Sequence, residues 1–164
     1  MTFVVGESGS GKSSVAQLLV HLYTPSLGLI ALDDQDTSYI DEKWLRENVA
    51  VVSQSCILFS GSIHDNVALG VAGVRRRPEQ VTREEVERVC TAALMQEFVR
   101  ELPDGYDTQL SNGGGSGAGV SLSGGQKQRL AIARAMLRDP TVLILGMLSP
   151  FISVRIIADI CAPF

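Results

Sequence analysis

The feature that most constrains the fold of this chain is a glycine-rich run near its start, which separates two patterns of different period. Residues 2–5 form a short β-branched and aromatic stretch that is typical of a strand. After the run, apolar residues recur at helical spacing: Val15, Leu18, Leu19 and Leu22. We therefore predict a strand, a loop and a helix that ends near Thr24 and Pro25.

The run itself fits the pattern G-x-x-x-x-G-K-[ST] without a mismatch, as Gly6-Glu7-Ser8-Gly9-Ser10-Gly11-Lys12-Ser13. Glycines let the backbone curl so that successive N–H groups point into one concavity, and the following helix adds the positive end of its dipole. Lys12 would reach the β- and γ-phosphates of a nucleotide, and the Ser13 hydroxyl would ligate Mg²⁺. A glycine turn that only starts a helix is the plainer alternative, but the flanking patterns favour phosphate binding. The predicted nucleotide-binding residues are this run together with Ser14.

Strand-like and helix-like stretches alternate along the rest of the chain, which predicts an α/β fold with a largely parallel sheet. Residues 29–32, 49–52 and 141–145 read as strands, around a short helical segment at residues 41–47. Thr82 and Glu85 form a capping box, and the helix behind it is expected to run on towards Phe98. Its buried face would consist of Val86, Val89, Cys90 and Ala93.

A second glycine turn lies later in the chain, Leu122-Ser123-Gly124-Gly125-Gln126, and it opens another predicted helix. Such a turn offers a hydroxyl, free N–H groups and a helix dipole to an anion, although alone it is more often a plain helix start. Together with the phosphate loop, it resembles the signature of ATP-binding-cassette (ABC) ATPases. The resemblance is to the nucleotide-binding domains of B-type multidrug and peptide exporters, and it covers roughly residues 2–145.

The resemblance implies a P-loop NTPase-type fold with helices on the faces of the sheet and a helical subdomain, about residues 62–138, inserted before the signature. It implies ATP and Mg²⁺ as cofactors and a head-to-tail dimer with a second ABC nucleotide-binding domain. In that dimer the signature, here Ser123, Gly124, Gly125 and Gln126, closes on the γ-phosphate held by the partner's phosphate loop. The transmembrane domain of an exporter is the other implied partner, at the cytoplasmic face of a membrane.

Residues 51–63 indicate which branch of the ABC family the chain resembles, because they are similar to the Q-loop of full-length exporters. Gln54 would there help to coordinate Mg²⁺ and position the attacking water, and the segment after it would touch the membrane domain. An ordinary exit from a strand into a loop is the alternative for Gln54. Residues 102–108 resemble the segment that leads to the signature in multidrug and peptide exporters, and residues 93–99 favour fungal-type members.

The resemblance fails after the apolar run at residues 141–145, where the family has two acids and this chain has Gly146 and Met147. Glycine cannot ligate Mg²⁺ and a thioether cannot polarise water, and losing a positioned general base costs ~10²–10⁴-fold in rate. The upstream aromatic that stacks on adenine and the later switch histidine are also absent. We therefore expect impaired hydrolysis, an unrelated tail over residues 146–164, and a domain that is incomplete at both ends.

Composition excludes several other classes of function. The net charge of −4 argues against a general nucleic-acid binder, and no apolar run is long enough to cross a bilayer. Cys56, Cys90 and Cys161 are widely spaced, so we interpret them as reduced thiols rather than a disulfide framework or a metal site. Two rival functions remain open: a non-hydrolysing nucleotide-binding module that pairs with an intact partner domain, and a soluble ABC protein of DNA repair or the ribosome.

Overall fold

The structure, a computed structural model, describes residues 2–7, 9–32, 34–53, 56–73, 76–111, 119–146 and 154–158, with backbone alone for residues 2, 3 and 154–158. The helices are α1 (Lys12–Leu19), α2 (Glu42–Asn48), α3 (Ile63–Ala68), α4 (Arg83–Ala92), α5 (Gln96–Arg100) and α6 (Gly124–Leu137). The strands are β1 (Thr2–Val4), β2 (Ala31–Leu32), β3 (Gln35–Asp36), β4 (Val49–Val52), β5 (Gly61–Ser62), β6 (Gln109–Leu110), β7 (Val142–Gly146) and β8 (Val154–Ala158). The chain divides into two compact units, Ser55–Arg138 and Met1–Gln54 with Asp139–Phe164.

The unit that contains the chain's start is built on a four-stranded sheet with the order β1-β8-β7-β4. β4 and β7 pair in parallel, whereas β8 pairs antiparallel with both β1 and β7. β1, β7 and β4 therefore run in one direction and β8 runs against them. The predicted α/β fold with a largely parallel sheet is confirmed, and the run at residues 141–145 forms the buried strand β7, as its continuous apolar composition predicts.

The first helix is shorter than predicted. α1 ends at Leu19, and the backbone then turns through His21, which has a φ of 57°. The N–H of Leu22 donates to the Gln17 carbonyl oxygen at 2.9 Å, a helix-ending pattern that stops the helix before Thr24. Leu22, the last residue of the apolar spacing from which the helix was predicted, therefore lies beyond α1, and its side chain is 67% exposed.

The unit Ser55–Arg138 is mainly helical and packs around one large apolar cluster. The predicted capping box at the start of α4 is confirmed, since the Glu85 carboxylate accepts from the Thr82 N–H and the Thr82 hydroxyl oxygen accepts from the Glu85 N–H. The predicted face of α4 is buried as well: Val86, Val89, Cys90 and Ala93. One long helix to Phe98 was the wrong expectation, because Leu94 has a φ of 57° and separates α4 from α5.

No helix in the described ranges combines the length and the apolar character that crossing a membrane requires.

Candidate nucleotide site

The phosphate loop joins β1 to α1 through two glycines in the left-handed region. Gly9 has a φ of 84° and Gly11, the residue before α1, has a φ of 87°, conformations that side chains disfavour. The N–H of Ser10 donates to the Glu7 carbonyl oxygen at 3.2 Å and closes the turn between them. Ser8, also a predicted site residue, lies outside the described residues.

Lys12 is the one charged side chain among the described residues that the structure buries, with 4% of its surface exposed. Its ammonium group donates to the Glu7 carbonyl oxygen, and to the Ser10 hydroxyl oxygen at 2.8 Å. No carboxylate of the described residues lies within ion-pair distance of it. A buried cation without a counter-ion is unfavourable, and a phosphate group would supply the missing negative charge. The loop therefore fits an anionic ligand.

The start of α1 provides further donors next to Lys12. The first turn of a helix leaves its N–H groups without intrahelical acceptors. Here Gly11 supplies no side-chain cap and no acidic residue lies in the first turn, so the cap and the first turn themselves do not neutralise this positive helix end. Ser13 and Ser14 are exposed on the same turn, which leaves the Ser13 hydroxyl accessible to a metal ion.

The register of the sheet brings the candidate residues of this unit to one edge. Val154 lies opposite both Val4 and Gly146, and Val52 lies opposite Leu145. The carboxyl ends of β1, β7 and β4 are thus level, and this is the edge at which α/β sheets bind ligands. The phosphate loop begins just beyond β1. Gln54 and Met147 follow β4 and β7 in sequence but lie outside the described residues.

Gly146 has room for a side chain at this edge. A Cβ added to it would lie 3.4 Å from the carbonyl oxygen of Val52, an ordinary contact distance. Its backbone is not in the left-handed region that favours glycine. The geometry at this position therefore does not require a glycine, although the sequence has one where the family resemblance predicts an acid.

The signature turn belongs to the other unit and is organised by a capping box. The Ser123 N–H donates to the Gln126 side-chain oxygen at 2.8 Å, and the Ser123 hydroxyl oxygen accepts from the Gln126 N–H at 3.3 Å. Added Cβ atoms at Gly124 and Gly125 would meet nothing within 4 Å, so the turn is open outward. Sequence reasoning missed this box, although its S-x-x-Q pattern is readable from Ser123 and Gln126.

The comparisons with known proteins point to one family. The ABC transporter family matches residues 1–146 of the chain. The chain belongs to the ABC transporter family. Three B-type relatives show the similarity: ATP-binding cassette sub-family B member 10, mitochondrial, of Mus musculus (43% identical over 88% of this chain and 19% of the mouse protein), P-glycoprotein 14 of Caenorhabditis elegans (44%, 87% and 10%) and ABC multidrug transporter atrC of Emericella nidulans (46%, 88% and 11%).

A solved structure supports the fold of this ABC domain. The chain is similar to a bacterial Atm1-family ABC exporter with ATP bound, with a TM-score of 0.72 and 37% identity over 85% of this chain and 22% of that one. The predicted resemblance to B-type exporters and the P-loop NTPase-type fold are both confirmed. The chain spans 10% to 22% of the length of the curated relatives it matches.

A side-chain network in the ABC domain, which sequence reasoning missed, holds the segment that follows Gln54. The Asn66 amide on α3 is fully buried, donates to the Phe59 and Ser62 carbonyl oxygens, and accepts from the Phe59 N–H at 2.9 Å. Arg134 on α6 donates to the Asn66 backbone and side-chain oxygens at 2.8 and 3.1 Å and to the Ile57 carbonyl oxygen at 3.0 Å. The network fixes a loop whose Ile57 and Phe59 side chains are 67% and 48% exposed.

The described thiols are packing groups. Burial raises the pKa of Cys90 to about 12 and also raises the pKa of Cys56. Both side chains are therefore neutral at physiological pH, which disfavours nucleophilic chemistry. No cluster of three metal-ligating side chains occurs in the part of the chain that the structure describes.

Proposed function

We propose that this chain is the ATP-binding domain of an ABC exporter and that it binds MgATP through residues 6–14. The buried Lys12 ammonium, which lacks a carboxylate partner in the described residues, is the observation that carries this proposal. Lys12 would exchange its bonds within the loop for phosphate oxygens, and the N–H groups at the start of α1 would bind the same anion. The Ser13 hydroxyl, with Gln54, would hold Mg²⁺, which neutralises phosphate charge when bound.

Hydrolysis by this chain alone is expected to be impaired. Gly146 at the end of β7, and Met147 after it in sequence, supply no carboxylate to hold the metal or to activate water. The loss of a positioned base alone lowers the rate by ~10²–10⁴-fold. Nucleotide binding does not need those acids, because Lys12 and the helix start provide the donors.

The second candidate is a non-hydrolysing module that completes the site of an intact partner domain. The ordered and outward-open turn at Ser123, Gly124 and Gly125 favours it, since these residues would act on a nucleotide held by the partner. Under either candidate, residues 146–164, which lie almost wholly beyond the family match, would come from an unrelated reading frame or a retained intron. Sequencing the transcript across the codons for Leu145 and Gly146 tests that origin: one continuous message encoding the tail would contradict it.

Coupling to transport would run through the loop that the Asn66–Arg134 network fixes. We infer that Ile57 and Phe59 face the transmembrane domain of an exporter, at the cytoplasmic side of the membrane, because they are apolar and exposed on a rigid loop. An apolar compound or a peptide would be the exported substrate.

The test is MgATP binding by the full-length chain, measured by calorimetry. Lys12→Ala should weaken binding ~10–100-fold, because charge-assisted hydrogen bonds to phosphate are lost. Lys43→Ala, which removes an exposed lysine from α2 of the same unit, is the matched control and should bind like the wild type. Equal affinities for all three proteins would reject the proposed site. An ATPase assay then separates the two candidates, since turnover that disappears in Lys12→Ala would exclude the non-hydrolysing module.

A further inference from the structure

We propose that β8, the strand Val154–Ala158, holds the phosphate-loop strand β1 in the sheet. Nucleotide binding by this chain would then depend on residues beyond those that match the ABC family. The statement about β1 rests on backbone pairing alone, whereas its consequence for nucleotide binding rests on the proposed function. Whatever the origin of the tail, β8 would be a working part of this chain.

The pairing of β1 is confined to one neighbour. All three residues of β1 lie opposite β8, as Thr2 with Ile156, Phe3 with Arg155 and Val4 with Val154. The other edge of β8 pairs with all five residues of β7. Within the described ranges, β8 is the one strand that pairs with β1. The continuity of the sheet between β1 and β7 thus depends on β8.

The spacing of strands shows why β7 cannot replace β8 as the partner of β1. Neighbouring strands lie ~4.8 Å apart, so β1 and β7 are separated by roughly 10 Å across β8. A backbone hydrogen bond spans only about 3 Å, so β1 cannot pair with β7 unless it moves by a full strand width. A three-residue strand is too short to persist without a neighbour. The Val4 side chain also packs against the small cluster of Leu45, Val49 and Ile144.

The phosphate loop depends directly on where β1 lies. β1 ends at Val4, two residues before Gly6, and α1 holds the loop from its other end. The Glu7 carbonyl oxygen, which accepts from the Lys12 ammonium, lies on the β1 side of the loop. If β1 leaves the sheet, the loop is fixed at one end only and must be ordered again when phosphate binds. That ordering lowers affinity because its entropy is lost on binding.

The test is amide hydrogen exchange on the full-length chain, with Ile156→Pro and the matched control Ile156→Val. Proline removes one N–H from the middle of β8 and disrupts its ladders, whereas valine retains the N–H and the β-branched side chain. In Ile156→Pro, amides of residues 2–5 should exchange at least ~10-fold faster than in the wild type, because a small strand opens locally when its ladder is broken. Peptides from α4 and α5 should be unchanged, which shows that the other unit still folds.

Each outcome decides the proposal. If no amide of residues 2–5 is protected in the wild type, or if the protected ones are equally protected in Ile156→Pro, the proposal is overturned. If the proline variant unfolds as a whole, native-state exchange of the wild type in rising denaturant replaces it: β1 and β8 should open together, and separate openings would reject the pairing. Calorimetry with MgATP tests the consequence for binding: the affinity of Ile156→Pro should be ~10-fold lower than that of the wild type. If the wild type protects β1 and does not bind MgATP, the proposed function fails while the role of β8 stands.

Discussion

The two units of this ABC domain stabilise their glycine turns in different ways. In Ser55–Arg138, seventeen buried residues form one apolar cluster in the described ranges, and the signature turn rests on it through Leu122 and Leu130. In the other unit, the cluster beside the phosphate loop has three buried residues, and the loop is held by a short strand and a helix start. The signature turn should therefore be ordered without any ligand. The phosphate loop, which rests on a smaller cluster, should gain more order than the signature turn when an anion binds.

The largest effect should come from the tightest backbone approach in the Ser55–Arg138 unit. A Cβ added at Gly70 would lie 2.0 Å from the carbonyl oxygen of Arg134, and a backbone atom cannot rotate away. Gly70→Ala should lower the free energy of unfolding by about 3 kcal/mol, measured by chemical denaturation. Gly124→Ala is the control and should lose no stability, because its Cβ would meet nothing within 4 Å and alanine is favoured over glycine in a helix. Equal stabilities of the two variants would contradict the close contact between Gly70 and α6.

The next effect should come from the buried amide that fixes the loop after Gln54. Asn66→Ala leaves the N–H and the carbonyl oxygen of Phe59 without their partner and should cost about 2 kcal/mol in the free energy of unfolding. Amide exchange at Phe59 should accelerate. Asn48→Ala, which removes a side chain whose hydrogen bonds with Trp44 and Thr141 are both exposed, is the control and should cost about 0.5 kcal/mol. A larger loss of stability in Asn48→Ala than in Asn66→Ala would contradict the role assigned to the buried Asn66 amide.

A smaller effect is expected from a carboxylate added at the end of β7, which tests whether this position can supply a ligand to Mg²⁺. Gly146→Asp adds a carboxylate at a position that has room for a side chain. The added Cβ would lie 3.4 Å from the Val52 carbonyl oxygen. We expect Mg²⁺ to raise the affinity for ATP about 10-fold more in this variant than in the wild type. The reason is that a hydrogen bond or ligand bond to a charged group is worth ~1.5 kcal/mol or more. Gly146→Ala should leave that dependence unchanged. Identical Mg²⁺ titrations of the Asp and Ala variants would show that the edge at Gly146 is not the metal side of the site.

The smallest effect concerns an ion pair at the start of α4. The hydrogen bond from Arg76 lowers the pKa of Glu85 to about 2, from 4.5. A folded-state pKa below the unfolded value gives stability that is complete above pH 4.5 and is lost as the pH falls towards 2. The wild type should exceed Glu85→Gln by at most about 1 kcal/mol at pH 7, since the pair is partly exposed. Denaturation at pH 7 and pH 3 checks this, and an advantage that grows at pH 3 would contradict it.

The sequence predicted the parts of the domain that depend on local pattern. The capping box of α4, the strand β7 and both glycine turns follow from spacing over a few residues. The early end of α1 and the break at Leu94 could not be predicted in the same way, because they depend on left-handed backbone at residues that are not glycine. The apolar period of the flanking residues continues through both breaks and so gives no signal.

Long-range contacts are the second feature that could not be predicted from the sequence. The partners of Arg134 lie 68 and 77 positions earlier in the chain, and nothing near Arg134 in sequence indicates that its guanidinium would be half-buried among carbonyl oxygens. Burial lowers the pKa of that guanidinium, which marks the position only after the fold is known. The strand β8 was likewise missed, because residues 154–158 were interpreted as part of an unrelated tail.

The position of the Lys12 ammonium has a consequence for ligand choice. The Lys12 ammonium already donates to two neutral acceptors, the Glu7 carbonyl and the Ser10 hydroxyl. A ligand therefore binds by exchange, and it must offer more than the two bonds it displaces. Adenosine offers no anion and gains nothing from that exchange, whereas each added phosphate brings charge that a carbonyl oxygen cannot match. The affinity of the loop for nucleotides should thus depend first on the number of phosphates in the ligand and only then on the base.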